Sequence, residues 1–119
     1  MIIKIEAIVR NDRMEEVIDA LNAIHVNGMT VSQVMGYGQQ RGYTEVVRGT
    51  EVDIQMIPKV KFEVVVSNET WEEKVIAAIQ RAAYTGEYGD GKIFTYEIRS
   101  ALRIRTKESG EKAIYTSEK

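Results

Sequence analysis

The hydrophobic residues of this chain change period along its length in one order: two, then 3.6, then two twice, then 3.6, then two. Ile3, Ile5, Ala7 and Val9 alternate with Lys4 and Glu6, which marks a strand with one buried face. From Asp12, read as the N-cap, Met14, Val17, Ile18, Leu21 and Ile24 recur at three- and four-residue spacing, a helical stripe that Gly28 is expected to end. "MTVSQVMGYG" reads as a second strand through Val31. "PKVKFEVVVS" reads as a third, with Val60, Phe62, Val64 and Val66 inward and Lys59, Lys61 and Glu63 opposite. A second helix starts near Asn68 or Thr70, where Thr70 and Glu73 have capping-box spacing. Its stripe is Trp71, Val75, Ile76, Ile79 and Ala83, and Gly86 closes it. "KIFTYEIRSALRIRT" supplies one or two closing strands, with Ile93, Thr95 and Glu97 on one side and Phe94, Tyr96 and Ile98 on the other.

An order of strand, helix, strand, strand, helix, strand predicts an α+β, ferredoxin-like βαββαβ sandwich with both helices on one face of an antiparallel sheet. The other face carries Lys4, Glu6, Lys61 and Glu63, alternating in sign, which suits either water or a subunit contact. At 119 residues the chain is expected to be a single domain, 1–119, with a loosely held tail over about 107–119, where apolar residues thin out. A net charge of −2 provides no general attraction to nucleic acid or an anionic membrane, and no basic stripe is interleaved with aromatics. The absence of cysteine excludes disulfides, zinc–thiolate sites and thiol catalysis, and His25 alone cannot build a histidine metal cluster. No apolar run approaches the roughly 20 residues of a membrane span, and "MIIKIEAIVR" has a lysine and a glutamate where a signal peptide needs continuous apolar residues. The expected location is cytoplasmic.

Two stretches stand outside the periodic pattern. Residues 37–57 form a connection of about twenty residues where hairpin loops usually have about two to five. A loose insertion is one reading. The apolar content, with Tyr37, Tyr43, Val46, Val47, Val52, Ile54, Met56 and Ile57, favours a surface for a partner. The second stretch is "TGEYGDGKIF". Its G-x-x-G-x-G-K spacing, the lack of Ser or Thr after the lysine and the strand that follows reject a Walker A loop. Glycines nevertheless let backbone N–H groups approach an anion, and a lysine adds charge. The glycines alone fit a flexible turn equally well. Arg103 and Arg105 stand two apart in "RIRT", so on a strand they would emerge together. Gly89, Gly91, Lys92, Arg103 and Arg105 could then supply charge-assisted hydrogen bonds of about 1.5 to 3 kcal/mol each. Micromolar binding needs about 8 kcal/mol, so a polyphosphate such as a nucleotide's suits the set better than one phosphate.

"GMTVSQVMGYGQQRGYTEVVRG", "PKVKFEVVV", "TGEYGDGKIF" and "LRIRT" resemble, in order and spacing up to Thr106, the motifs of the PII nitrogen-regulatory signal proteins. The resemblance implies a homotrimer that binds ATP or ADP competitively between neighbouring subunits, and 2-oxoglutarate with Mg2+ beside ATP. Residues 37–57 correspond to that family's T-loop, which docks on targets such as ammonium channels and nitrogen-assimilation enzymes or regulators. By the same resemblance Gly89, Asp90, Gly91, Lys92, Arg103 and Arg105 match the phosphate-binding set. Ile8, Thr30, Glu63 and Val65 match positions around adenine and ribose, with Gly28, Met29, Gly36 and Gly38 nearby. Gln40 matches the residue that helps hold Mg2+ and the oxoacid, and Lys59 the partner of its distal carboxylate. An amide oxygen is a fair Mg2+ ligand and an ammonium a fair carboxylate partner, while Lys59 also reads as an ordinary solvated strand residue.

Two departures from the family pattern shape the expectation. Gln39 stands where many members have an arginine that reaches a nucleotide phosphate, which implies altered discrimination between ATP and ADP. Val52 replaces the loop-tip tyrosine that many members carry as a uridylylation site, so that modification is impossible here; Thr50 lies where some members carry a phosphorylated serine. The main expectation is a regulator that senses ATP/ADP and 2-oxoglutarate and controls a membrane transporter or nitrogen-metabolism enzyme, without inserting into the membrane itself. The alternative is an adenine-nucleotide sensor that ignores 2-oxoglutarate and serves a non-ammonium transporter or enzyme. An enzyme built from Asp90, Glu63 and Lys92 lacks an activated nucleophile.

Overall fold

β1 (Ile2–Arg10) occupies an inner position of a four-stranded antiparallel sheet, between β5 (Met56–Val66) and β6 (Gly91–Ile98), and β2 (Thr30–Tyr37) forms the far edge. The order β2-β5-β1-β6 is the ferredoxin-like arrangement that the periodicities predict. This computed structural model describes residues 1–26, 28–37, 44–47, 50–53 and 56–114, with only the backbone for 44–47 and 50–53. Between β2 and β5 lies a separate two-stranded hairpin of β3 (Thr44–Val47) and β4 (Thr50–Asp53), in which Glu45 faces Val52 in register. Part of the expected long connection is thus regular structure.

The strand alternation sorts the sheet into two faces. Ile3, Ile5, Ala7 and Val9 of β1 and Val60, Phe62, Val64 and Val66 of β5 are buried against α1 (Met14–Ala23) and α2 (Glu69–Ala83), which add Val17, Leu21, Val75, Ala78 and Ile79. Each such Val, Leu, Ile or Phe contributes about 1.5 to 3 kcal/mol by leaving water. On the opposite face Lys4, Glu6 and Ile8 stand beside Val65, Glu63 and Lys61 of β5 and beside Tyr96, Phe94 and Lys92 of β6. Lys4 Nζ lies 2.6 Å from Glu63 Oε2, and the Tyr96 hydroxyl donates to Glu6 at 3.2 Å. Of the four charges expected on this face, Lys4 and Glu63 thus form an ion pair and Glu6 accepts from Tyr96.

Helix ends are where local reading and structure part. Asp12 does not cap α1: a 3-10 turn, Asn11–Arg13, precedes the helix, and the Asp12 carboxylate accepts from Arg10 at 2.9 Å instead. α1 also ends before Gly28. Val26 N–H donates to Leu21 O and His25 N–H to Asn22 O, a Schellman closure with His25 at φ 66 in the place usually held by glycine. For α2 the earlier of the two expected starts is correct, since Asn68 Oδ1 accepts from Trp71 N–H at 2.9 Å.

The closing strand is shorter than "KIFTYEIRSALRIRT" suggests. β6 ends at Ile98, which faces Ile2, the first residue of β1. Arg103 and Arg105 are therefore not on a strand, and alternation does not align them. Leu102 makes an isolated bridge to Ser109, and Arg105 lies exposed in the turn that follows. Within the tail of about 107–119, residues 107–114 fold back: Gly110 N–H donates to Ala101 O, and a single helical turn, α3 (Glu111–Ile114), follows, while 115–119 lie outside the described residues.

Candidate functional site

The glycine-rich stretch is a tight turn organised by its own aspartate. After Ala83 the backbone leaves the helix at Tyr84, and the Asp90 carboxylate gathers Thr85 N–H at 2.7 Å, Gly86 N–H at 2.8 Å and the Thr85 hydroxyl. Burial pushes the Asp90 carboxyl up, but these hydrogen bonds and the nearby Arg10 guanidinium outweigh it and hold the group below the usual carboxylate range. Gly86, Gly89 and Gly91 all take positive φ. At Gly91, with φ 110, a Cβ would lie 1.9 Å from Ile8 O, so only glycine lets β6 start this close to β1. Lys92 follows at once, exposed, directly across from Ile8.

The turn is tied to the base of the 37–57 segment by one side chain. Lys59 Nζ, from β5, donates to Gly89 O at 2.7 Å, and the Lys59 stem passes Gly36 of β2 so closely that a Cβ there would lie 3.2 Å from Lys59 Cγ. Burial lowers the Lys59 pKa and the Arg10 charge adds to this, with Asp90 and Asp12 acting against them. Ile8, Gly36, Lys59, Gly89, Asp90, Gly91 and Lys92 form one group.

A second group lines a cavity of about 540 Å³ near the other end of β5: Gly28, Met29, Thr30, Glu63 and Val65, joined by His25, Trp71, Ala113 and Ile114. Thr30 stands opposite Glu63 in register, and Glu63 is held by Lys4. Their mutual hydrogen bond raises the Lys4 pKa and lowers that of Glu63. Arg103 belongs to this end, because its Nη2 donates to Lys112 O at 3.2 Å and to Ala113 O at 3.3 Å. Lys92 lies on one edge strand and Thr30 on the other, with the strands three interstrand spacings or about 14 Å apart across the sheet. Arg105 is exposed on its turn, which belongs to neither group. Gly38, Gln39 and Gln40 lie outside the described residues.

Sequence reasoning missed several participants. Thr85 and Gly86 give the turn its shape, yet a threonine five residues before an aspartate carries no distinctive signal. His25, Trp71 and Ala113 enter the cavity wall only through packing. Among the described residues no three His, Cys, Asp or Glu side chains are grouped to hold a metal ion.

Comparison with known proteins places this geometry. The family model described as nitrogen regulatory protein P-II matches residues 2–108. The nitrogen regulatory protein P-II of Rhodospirillum rubrum is 49% identical over 111 residues, covering 93% of this chain and 98% of the relative. The nitrogen regulatory protein GlnK of Escherichia coli is 41% identical over 110 residues, 92% of this chain and 97% of the relative. A structure of Arabidopsis thaliana PII bound to citrate superposes with a TM-score of 0.73 at 42% identity, covering 94% of this chain and 91% of that one. The structure of B. subtilis GlnK superposes with a TM-score of 0.75 at 34% identity, covering 94% and 97%. With the family model matching residues 2–108 and a relative 49% identical over 93% of the chain, the protein belongs to the nitrogen regulatory protein P-II family.

Proposed function

We propose that this chain is a homotrimeric signalling regulator that reads ATP against ADP at its subunit boundaries and passes the reading to a target through residues 37–57. The observation that carries this is the Lys59–Gly89 hydrogen bond, because it joins the base of that segment to the glycine-rich turn. An effector that engages the turn and Lys59 together would change which arrangement of the segment is populated, to the extent that it prefers one arrangement. Gly89, Gly91 and Lys92 would receive phosphates, with Arg103 and Arg105 of a neighbouring copy closing the site. Ile8, Thr30, Glu63 and Val65, with Gly28, Met29, Gly36 and Gly38 nearby, would receive the adenine and ribose. The left-handed glycines and the exposed Lys92 suit an anion, whereas Asp90 faces back into its own turn and would shape the cradle without touching phosphate.

Mg2+ finds no preformed cluster among the described residues, so it would be held by ligand oxygens together with Gln40. Gln39, uncharged, would soften the preference between ATP and ADP. The target would be a membrane transporter or a nitrogen-metabolism enzyme, with the chain itself working from the cytoplasm; no helix among the described residues is long and apolar enough to cross a membrane. The role is regulatory, without turnover. Calorimetry tests it: saturable ATP and ADP binding is expected in the parent and a loss of roughly tenfold or more in Lys92→Ala and in Arg103→Ala, each of which removes charge-assisted bonds. Absence of nucleotide binding by the parent would remove the reading.

The same Lys59 contact favours a second reading, in which 2-oxoglutarate is not an effector. Lys59 Nζ already has an acceptor in Gly89 O, and burial works against its charge. The sensor would then answer to adenine nucleotides alone and serve a non-ammonium transporter or enzyme. Titration of 2-oxoglutarate into the protein with Mg-ATP, repeated in Lys59→Ala, separates the two. Heat from the parent that vanishes in the variant supports the oxoacid; a flat parent titration supports the second reading.

A further inference from the structure

Arg103 is held by the chain's own C-terminal segment. Its Nη2 donates to the carbonyls of Lys112 and Ala113, its Nη1 lies 3.6 Å from Glu108 Oε1, and its side chain is only 21% exposed. The backbone repeats the attachment: Arg103 N–H donates to Glu108 O at 2.8 Å, Lys107 N–H to Arg103 O at 2.8 Å and Gly110 N–H to Ala101 O at 3.0 Å. The N-terminal ammonium reaches Glu111 at 3.4 Å. Ala113 and Ile114 then form part of the wall of the cavity lined by Met29, Thr30 and Val65. The family match stops at residue 108, so α3 lies beyond it.

These contacts use the groups a nucleotide would need. A guanidinium that donates to two carbonyls with a carboxylate beside it cannot present the same N–H groups to a phosphate, and Glu108 would repel one. We propose that residues 107–114 are an intramolecular competitor for the nucleotide site, displaced from Arg103 when phosphate binds. This rests on the nucleotide reading above. The apparent affinity for nucleotide is then lowered by the fraction of molecules in which the segment is docked, and any change that undocks it raises affinity without touching the ligand.

Two measurements on the full chain decide the matter. The first follows limited trypsin cleavage after Lys112 in the parent, with release of the 113–119 peptide read by mass spectrometry. Displacement makes release roughly threefold or more faster with saturating ATP or ADP; a rate that is unchanged or slower overturns the proposal. The second measures nucleotide affinity by calorimetry in Glu108→Gln and in Gly110→Pro. Gly110 has φ 68 and donates its N–H, neither of which proline allows. Both variants are expected to bind ATP roughly two- to tenfold more tightly than the parent, Gly110→Pro the more so. Parent binding with no gain in either variant overturns the competitor alone and leaves the nucleotide reading standing. No binding in the parent or either variant overturns both.

Discussion

Asp90 shows how one residue's role depends on what its side chain meets. Its sequence position suggests a ligand contact, while its carboxylate is spent on Thr85 and Gly86, where it holds a turn of left-handed glycines in shape. Because the folded carboxyl is held below its ordinary value of 3.8, the unfolded state binds the proton more readily. Its stabilising contribution is present in full above that ordinary value and is lost as pH falls through it and the lower folded value. Urea denaturation of the parent and of Asp90→Ala should therefore differ by a constant amount from pH 5 to 7 and converge toward pH 3. Parallel curves down to pH 3 would show that the turn does not depend on the ionised carboxylate. Gly91 beside it was legible as a glycine of consequence, but the reason, the carbonyl of Ile8 occupying the space of a side chain, is a contact between residues far apart in the chain.

At the scale of elements, periodicity survives folding and end signals do not. The strand faces of β1 and β5 and the stripes of both helices are buried as their spacing requires, because burial is set by the repeat itself. Ends depend on competitors. Asp12 has the chemistry of a cap and loses it to Arg10 two residues away, whereas Asn68 gives its side-chain oxygen to Trp71 N–H and caps α2. Asn68→Ala should cost about 1 kcal/mol in denaturant stability. Asp12→Ala should stay within about 0.5 kcal/mol, since it removes only an exposed pair. Equal losses would put a cap back at Asp12. The same logic bears on β6: "LRIR" alternates like a strand, yet among the described residues the pairing with β1 ends at Ile98 and Leu102 makes only an isolated bridge to Ser109.

For the whole molecule, the residues suited to a nucleotide are split between two places. The glycine turn with Lys92 and the cavity with Thr30 and Arg103 lie apart in one chain, so under the proposed function a second copy would complete the site. Refolding Lys92→Ala and Arg103→Ala chains together should restore nucleotide binding at about one site in four, the share of boundaries that pair two intact halves at random. No recovery over either variant alone would place the site within one chain. The sequence by itself determined the architecture, because the order of repeats two and 3.6 admits few ways to bury both helices on one sheet. It also marked the glycine-rich turn, since clustered glycines leave a local signature, while Lys59 stood out only through the resemblance to the family. Only the tertiary structure decided what those residues touch: Lys59 on Gly89, Asp90 on its own turn, Arg103 on the returning C-terminal segment. Each of these is a contact made where the chain reverses, four residues apart for Gly86 and Asp90 and thirty for Lys59 and Gly89, and such a hydrogen bond has no period by which the sequence could announce it.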